Sequence, residues 1–371
     1  MRNYLDLLKY TLKHGRWVDH YRTKARTLQI IGPQLEFNLQ DGFPLVTSRR
    51  TPYKNAFGEE LWFLSGSTDA RVLERDGNPV WSLWALSQTD LDTWGKYTDA
   101  RGNPIDVGSC GPIYGKMLRE WPLMDGSSFD QLQYAVDTLR TDPSSRRIVV
   151  SAWNPEFLPD ENLSPQENVL NGNQALAPCH TLYQFATQTA SIMERYRSIY
   201  SPALRKQAFK TIAESRMCSS FRRLHLLSGH FKEEWMYSLR DDHFTRYNQS
   251  ILHSMLDAMG APRRILHLKM FARSQDLPLG TVFNIASYAM LLTIMAKQVK
   301  MIPGRYIHTM TDAHIYEDQI PQVRELVKRR TYPLPKLIVR DGVPDLFSYK
   351  LSDFTLQDYK HGSYIKFPIT K

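Results

Sequence analysis

The 371-residue chain is 42 % apolar, enough for a sizeable core in one large domain or two ordinary ones, which excludes a disordered or fibrous protein. Its longest apolar stretches, such as residues 285–296, are broken by Ser and Thr and fall short of the roughly 20 residues a bilayer span needs. A formal charge of +9 suits small anionic substrates, nucleic acid or an anionic surface, and composition does not choose among them.

In chain order, residues 4–14 carry apolar side chains at helical spacing. No basic stretch is followed there by an apolar core and a small-residue cleavage site, so a secretion signal is not expected and a cytoplasmic protein is. Residues 28–31 form a β-rich run, and residues 51–64 predict a helix ending at Gly66. Residues 147–153 and 265–271 are further β runs bounded by Gly, Pro or polar turns. An apolar helix is predicted over 284–299, a strand over 306–310, and another helix after His314. These alternations support mixed α and β structure. Residues 190–265 differ in character: the spacing is helical, aromatic and basic residues interleave, and 13 Arg and Lys face 7 Asp and Glu. They predict a helical basic insertion within a single domain spanning 1–371. A solvated lobe is the plain reading, and contact with a partner or with nucleic acid stays open. No helix-turn-helix, zinc finger or RNP-type strand accompanies the charge.

Cys110, Cys179 and Cys218 are odd in number and lack metal-type spacing, which argues against a disulfide framework and against a metal site. Cys179, in Ala177-Pro-Cys-His-Thr-Leu-Tyr-Gln-Phe, opens a strand-like run behind a stiffening proline. A cysteine among apolar neighbours is ordinarily inert, but this chain also offers Arg22, Arg146, Arg147 and Arg273, cations of the kind that favour a thiolate. In Ser145-Arg-Arg-Ile-Val-Val-Ser-Ala-Trp-Asn two consecutive arginines head a strand and must diverge to opposite faces. Arg273 and Ser274, with Asp276 and Gly280 following, pair a guanidinium fork with a hydroxyl, the combination expected for a phosphate monoester.

Seven segments in this order resemble the thymidylate synthase family: Asn38-Leu-Gln-Asp-Gly-Phe-Pro-Leu-Val-Thr, Glu59 with Leu61-Trp-Phe-Leu, Gly111-Pro-Ile-Tyr-Gly-Lys, the double-arginine strand, Pro178-Cys-His, Phe283-Asn-Ile-Ala-Ser-Tyr and Asp312-Ala-His-Ile-Tyr. The resemblance implies an α+β fold with a large twisted mixed sheet, helices on one face, a dimer interface on the other, and the helical insertion outside the pattern. It implies a catalytic domain in which Cys179 adds to C6 of deoxyuridylate (dUMP), so that C5 attacks the methylene group of 5,10-methylenetetrahydrofolate. Glu59 would organise proton transfer, Tyr114 would lie in the same region, and His180 would support the cysteine. Arg22, Arg273 and Ser274 would hold the phosphate, and Arg146 and Arg147 would reach the partner's site in a homodimer. Asn284 would read the pyrimidine edge, although its place at the head of an apolar run otherwise reads as an N-cap. His314 and Tyr316 would bind the sugar 3′-hydroxyl, Asp276 the pterin, and Trp81, Trp84, Gly280 and Phe283 would line the folate pocket.

The sequence also departs from the family pattern. Ala272 stands where glutamine is usual, Lys24-Ala-Arg replaces a glycine-rich loop after Thr23, Val282 replaces a proline and Arg49 a lysine. Residues 365–371 align with the family's closing tail, but a small apolar residue has become Lys371. That tail excludes water so that hydride is captured; a charged tail seals less well. The resemblance is therefore greatest to the phage-type deoxyuridylate hydroxymethylases, which also tend to lose the glutamine and which would act in a host cytoplasm. The expected product is 5-hydroxymethyl-dUMP for modified DNA. Thymidylate synthase proper is the alternative, and an RNA-binding or complex-docking role of the insertion is a second.

Overall fold

The helix Gly280–Gln298 is apolar on almost every side, and such a helix is stable in water only when its whole circumference is covered. The computed structural model, which describes residues 1–20, 24–199, 201–214 and 246–369, puts it at the centre of the core. Arg22, Cys218 and Lys371 lie outside the described residues. Ile285, Leu291, Leu292 and Ile294 in this helix are 0 % exposed, and each such side chain contributes about 1.5–3 kcal/mol on burial. It is covered on one side by the helix Tyr53–Leu64, to which Ser287 is tied by a hydroxyl bond to the Ala56 carbonyl at 3.0 Å.

Its other side lies on a sheet. The strands are β1 (Arg16–Asp19), β2 (Arg26–Ile31), β3 (Gln34–Asn38), β4 (Trp121–Pro122), β5 (Ser128–Phe129), β6 (Val149–Ser151), β7 (His180–Thr189), β8 (Arg264–Asp276), β9 (Ile302–Tyr316), β10 (Lys336–Val339) and β11 (Phe354–Gln357). Seven of them form one sheet in the order β1-β2-β9-β8-β7-β6, with β3 also paired to β9. The two strands β2 and β3 share the long β9 end to end, β2 against residues 312–316 and β3 against 305–309. Among the described strands only β8 and β9 run parallel, because the Gly280–Gln298 helix carries the chain back to the end where β8 began. The fold is α+β with a large mixed sheet, as the resemblance implied.

The sequence pattern under-reads the long elements. β8 and β9 extend well past the predicted 265–271 and 306–310, since their ends carry Arg273, Asp276, Asp312 and His314, polar residues that a periodicity reading assigns to loops. After His314 the strand runs to Tyr316 before helix resumes at Ile320–Leu326. The Tyr53–Leu64 helix does end near Gly66, whose φ of 80° suits a residue without Cβ. Between β7 and β8 the described helices Ile192–Arg197, Pro202–Glu214 and Arg246–Ala258 include a separate apolar cluster of Ile192, Met193, Tyr196, Leu252 and Leu256. Arg195, 0 % exposed, is held beneath it by Asp257 at 2.5 Å and by the Ala261 and Pro262 carbonyls.

Candidate active site

Cys179 sits one residue before β7, exposed, on a short connection that the chain holds from several sides. The Ala175 amide donates to the Cys110 carbonyl at 3.0 Å, tying this connection to the Gly111 turn. Gly111 has φ 69°, and a Cβ there would meet the Asn173 carbonyl oxygen at 2.1 Å, so only glycine lets the two segments approach. The turn then delivers Tyr114, whose hydroxyl accepts the Cys179 amide at 2.8 Å. A register irregularity between His180 and Leu182 marks the point where β7 begins against β8, as bulges beside active sites do.

Arg273 closes the other side. Its amide donates to the Cys179 carbonyl at 2.8 Å, its Nε and Nη2 donate to the Pro178 and Ala177 carbonyls at 3.0 Å each, and Nη2 lies 4.0 Å from the Cys179 Sγ. A rigid guanidinium therefore faces the thiol, with Trp153 5.5 Å from it on another side. Ser274, next on β8, pairs with Asp312, and Asp276 pairs with His314. His314 Nδ1 shares a hydrogen with Asp312 at 2.9 Å, and its ring meets Tyr316 edge-on at 5.0 Å.

Behind Cys179 an aromatic series runs inward. His180 stacks on Tyr114 with centroids 4.3 Å apart, and its Nδ1 lies 2.6 Å from the Tyr288 hydroxyl. Burial drives the His180 pKa down to about 3, so the imidazole is neutral, and burial likewise holds the Tyr114 phenol well above its usual range. On the next wall Glu59 accepts the Trp81 indole N–H at 2.7 Å. Burial pushes its carboxyl up to about 7, although the Trp81 bond works in the opposite direction. Trp81 and Trp84 meet edge to face at 5.7 Å.

Asn284 is not an N-cap: the helix begins four residues earlier, at Gly280, and Asn284 instead donates from Nδ2 to the Gln275 Oε1 at 3.1 Å. Asp276 accepts from the Leu279 amide at 3.1 Å and from Gln319 Nε2 at 3.0 Å, and burial raises its pKa. Gln319 Nε2 also reaches the Pro368 carbonyl at 3.2 Å, so one side chain joins Asp276 to the segment after Phe367. Arg146 and Arg147 stand exposed ahead of β6, and its antiparallel register puts them past Gln184, well along β7 from Cys179. Within one chain they do not join the cluster.

The sequence model of the family described as thymidylate synthase matches residues 2–200 and 248–371, most of the chain. The protein belongs to the thymidylate synthase family. It is 29 % identical over 401 residues to a thymidylate synthase of Listeria monocytogenes serovar 1/2a, and 30 % identical over 401 residues to those of Listeria monocytogenes serotype 4b and Listeria innocua serovar 6a, with 100 % of both chains covered each time. Membership makes it an enzyme, a C5 one-carbon transferase of the thymidylate synthase class.

Several residues packed around the candidate site escape a sequence reading. Tyr288 lies one helical turn beyond Asn284, and that spacing places both on one helix face. His308 is buried within β9, and since the alternation of buried residues changes phase between Met310 and Ala313, a period of two does not connect it to His314. Gln275 and Gln319 carried no such signal: Gln275 meets Asn284 across the turn into the helix and His308 from β9, and Gln319 meets Asp276 from the far end of β9. Among the described residues no group of His, Cys, Asp and Glu is arranged to hold a metal ion, and no helix is long and apolar enough to cross a membrane.

Proposed function

We propose that the protein transfers the one-carbon unit of 5,10-methylenetetrahydrofolate to C5 of dUMP, with Cys179 as nucleophile and 5-hydroxymethyl-dUMP as product. The observation that carries the reading is the apposition of Arg273 Nη2 and Cys179 Sγ at 4.0 Å. The attacking species is a thiolate, and the guanidinium is the cation that faces it. Arg273, with Ser274 and with Arg22 outside the described residues, supplies donors for a phosphate monoester, while His314 and Tyr316 offer polar tips for the sugar. Asn284 presents an amide edge to the pyrimidine.

The folate pocket is read from the chemistry of its lining. Trp81, Trp84 and Phe283 offer flat apolar walls for a fused heteroaromatic ring, Gly280 leaves room beside them, and the Asp276 carboxylate is an acceptor for ring N–H groups. When bound, the folate supplies the carbon at the oxidation level of formaldehyde. Glu59, with a pKa near 7, holds or releases a proton at working pH, and Tyr114 and His180 keep the Cys179 loop in place.

The product depends on what meets the carbon once it is on the nucleotide. Water gives the hydroxymethyl group and tetrahydrofolate; hydride gives the methyl group and dihydrofolate. Two departures favour water: Ala272, buried where a larger polar side chain is usual, and Lys371, a cation in the tail segment. We assign the chain to a cytoplasmic homodimer in which Arg146 and Arg147 contact the partner's nucleotide, and residues 190–265, of which 200 and 215–245 lie outside the described residues, to a helical basic insertion of one catalytic domain.

The test is incubation with dUMP and methylenetetrahydrofolate, following nucleotide mass and the near-ultraviolet absorbance of dihydrofolate. A hydroxymethyl mass gain without dihydrofolate is expected. A methyl gain with equimolar dihydrofolate makes the enzyme a thymidylate synthase proper. Cys179→Ala is expected to lower turnover by about three orders of magnitude or more while dUMP still binds; retained turnover overturns the mechanism.

A further inference from the structure

A neutral amide reads a base only if its oxygen and nitrogen face the right way, and nothing in a lone Asn side chain sets that choice. In this protein the choice is set one layer deeper. Gln275 on β8 and His308 on β9, 3 % and 0 % exposed, stand behind Asn284. The Gln275 Oε1 receives two contacts, from Asn284 Nδ2 at 3.1 Å and from His308 Nε2 at 3.2 Å. The remaining ring nitrogen, His308 Nδ1, is buried with no hydrogen-bond partner.

With the Gln275 oxygen facing both groups these contacts admit one consistent assignment of hydrogens, and the reversed amide would need the His308 proton on Nδ1, a buried donor without a partner. Burial pushes His308 down to about 3, so its imidazole is neutral and carries a single N–H. If that proton sat on Nδ1, a buried donor would go unpaired and the bare Nε2 would face the Gln275 oxygen, lone pair against lone pair. With the proton on Nε2 it donates to Gln275 Oε1, and only a weaker acceptor is left unpaired at Nδ1. The amide oxygen of Gln275 is thereby fixed toward Asn284, and it accepts one of the two Asn284 Nδ2 protons. The other proton and the Asn284 Oδ1 form the outward edge, one donor beside one acceptor.

We infer that Gln275 and His308 are positioning residues that lock the Asn284 amide in the orientation complementary to the O4 and N3–H edge of a uracil, and so set the preference for uracil over cytosine nucleotides. The inference rests on the proposed role of Asn284 as the reader of the base. A turned Asn284 would aim its NH2 at N3–H and its oxygen at O4; the locked amide excludes that pose. Cytosine, with an acceptor at N3 and a donor at the 4-amino group, meets the locked edge with both polarities reversed.

The test is equilibrium binding of dUMP and of dCMP to the full-length protein and to four variants, each checked for a native thermal transition. Gln275→Met keeps the volume but removes the acceptor, and His308→Phe removes the donor that orients it. Each is expected to narrow the dUMP-over-dCMP affinity ratio by about tenfold, ~1.4 kcal/mol. Gln275→Glu, which retains an accepting oxygen, is expected to keep the ratio, a rescue that a purely structural role does not produce. Should Gln275→Met fail to fold, His308→Phe carries the test. A ratio moved by Asn284→Asp but not by Gln275→Met or His308→Phe overturns the inference alone. A ratio that Asn284→Asp leaves where it was overturns the base-reading role and the inference with it.

Discussion

At the scale of single residues, two adjacent carboxyls are pushed toward their protonated forms by burial. Glu59 is raised to about 7 by burial; Glu60, only 2 % exposed, is raised to about 8 by burial and then by the charge of Glu59. Consecutive residues on a helix point in different directions, so Glu59 faces Trp81 while Glu60 acts on the buried phenols of Tyr183, Tyr288 and Tyr306. The consequences for pH separate accordingly. Turnover is expected to carry a titration near pH 7 that Glu59→Gln removes, measured as the profile of kcat/KM; a profile unchanged by the substitution excludes Glu59 as the titrating group. Glu60 governs stability instead. Its folded-state pKa lies above the ordinary 4.5, so folding favours the protonated acid. The contribution is fully present below 4.5 and is lost as pH rises through about 8. Glu60→Gln should therefore raise the Tm above pH 8 and leave it nearly unchanged below 4.5.

At the scale of elements, the segment that precedes the last described residues is seated by Arg49. Its guanidinium, 2 % exposed, donates to the Pro278 carbonyl at 2.5 Å and to the Ile365 carbonyl at 3.4 Å, and lies 4.7 Å from the Phe367 ring centre. One side chain thus joins three segments: its own, the loop before the Gly280–Gln298 helix, and the tail. Arg49→Leu leaves both carbonyls without that donor, at a cost of about 1–3 kcal/mol. The expected outcome is faster hydrogen exchange and proteolysis over residues 365–369, with a larger share of hydroxymethyl over methyl product. An unchanged exchange rate would mean that the apolar burial of Ile365 and Phe367 suffices to hold the tail.

At the scale of the whole molecule, the proposed sharing of Arg146 and Arg147 between protomers has a direct consequence. A Cys179→Ala protein lacks the nucleophile but keeps the arginines, and an Arg147→Ala protein has the reverse defect. If the arginines serve the partner's site, unfolding and refolding the two together should restore turnover, because each mixed dimer holds one site with a thiol and a full set of arginines. Activity no greater than the sum of the separate proteins would place Arg147 in its own subunit's site or in none. The described helices between β7 and β8 stand apart in their packing: they have their own apolar cluster, pinned by the buried Arg195 through its ion pair with the more exposed Asp257. The stretch between β7 and β8 also contains residues 201–247, which the family match leaves out.

The sequence by itself determined what short-range chemistry can encode. The apolar circumference of the Gly280–Gln298 helix demands burial, and seven ordered motifs carry the resemblance to the family and put Cys179 and Glu59 at its matching positions. Only the tertiary structure decided which polar groups meet. Gln275 and His308 are separated by a full helix in the chain and joined by the parallel pairing of β8 with β9; Asp276, Gln319 and Pro368 converge from three elements; Asn284, which opens an apolar run on paper, sits a full turn inside its helix. The physical reason is that burial and helical period are properties of one segment, whereas a hydrogen bond needs two atoms at a set distance, and the sheet supplies that distance.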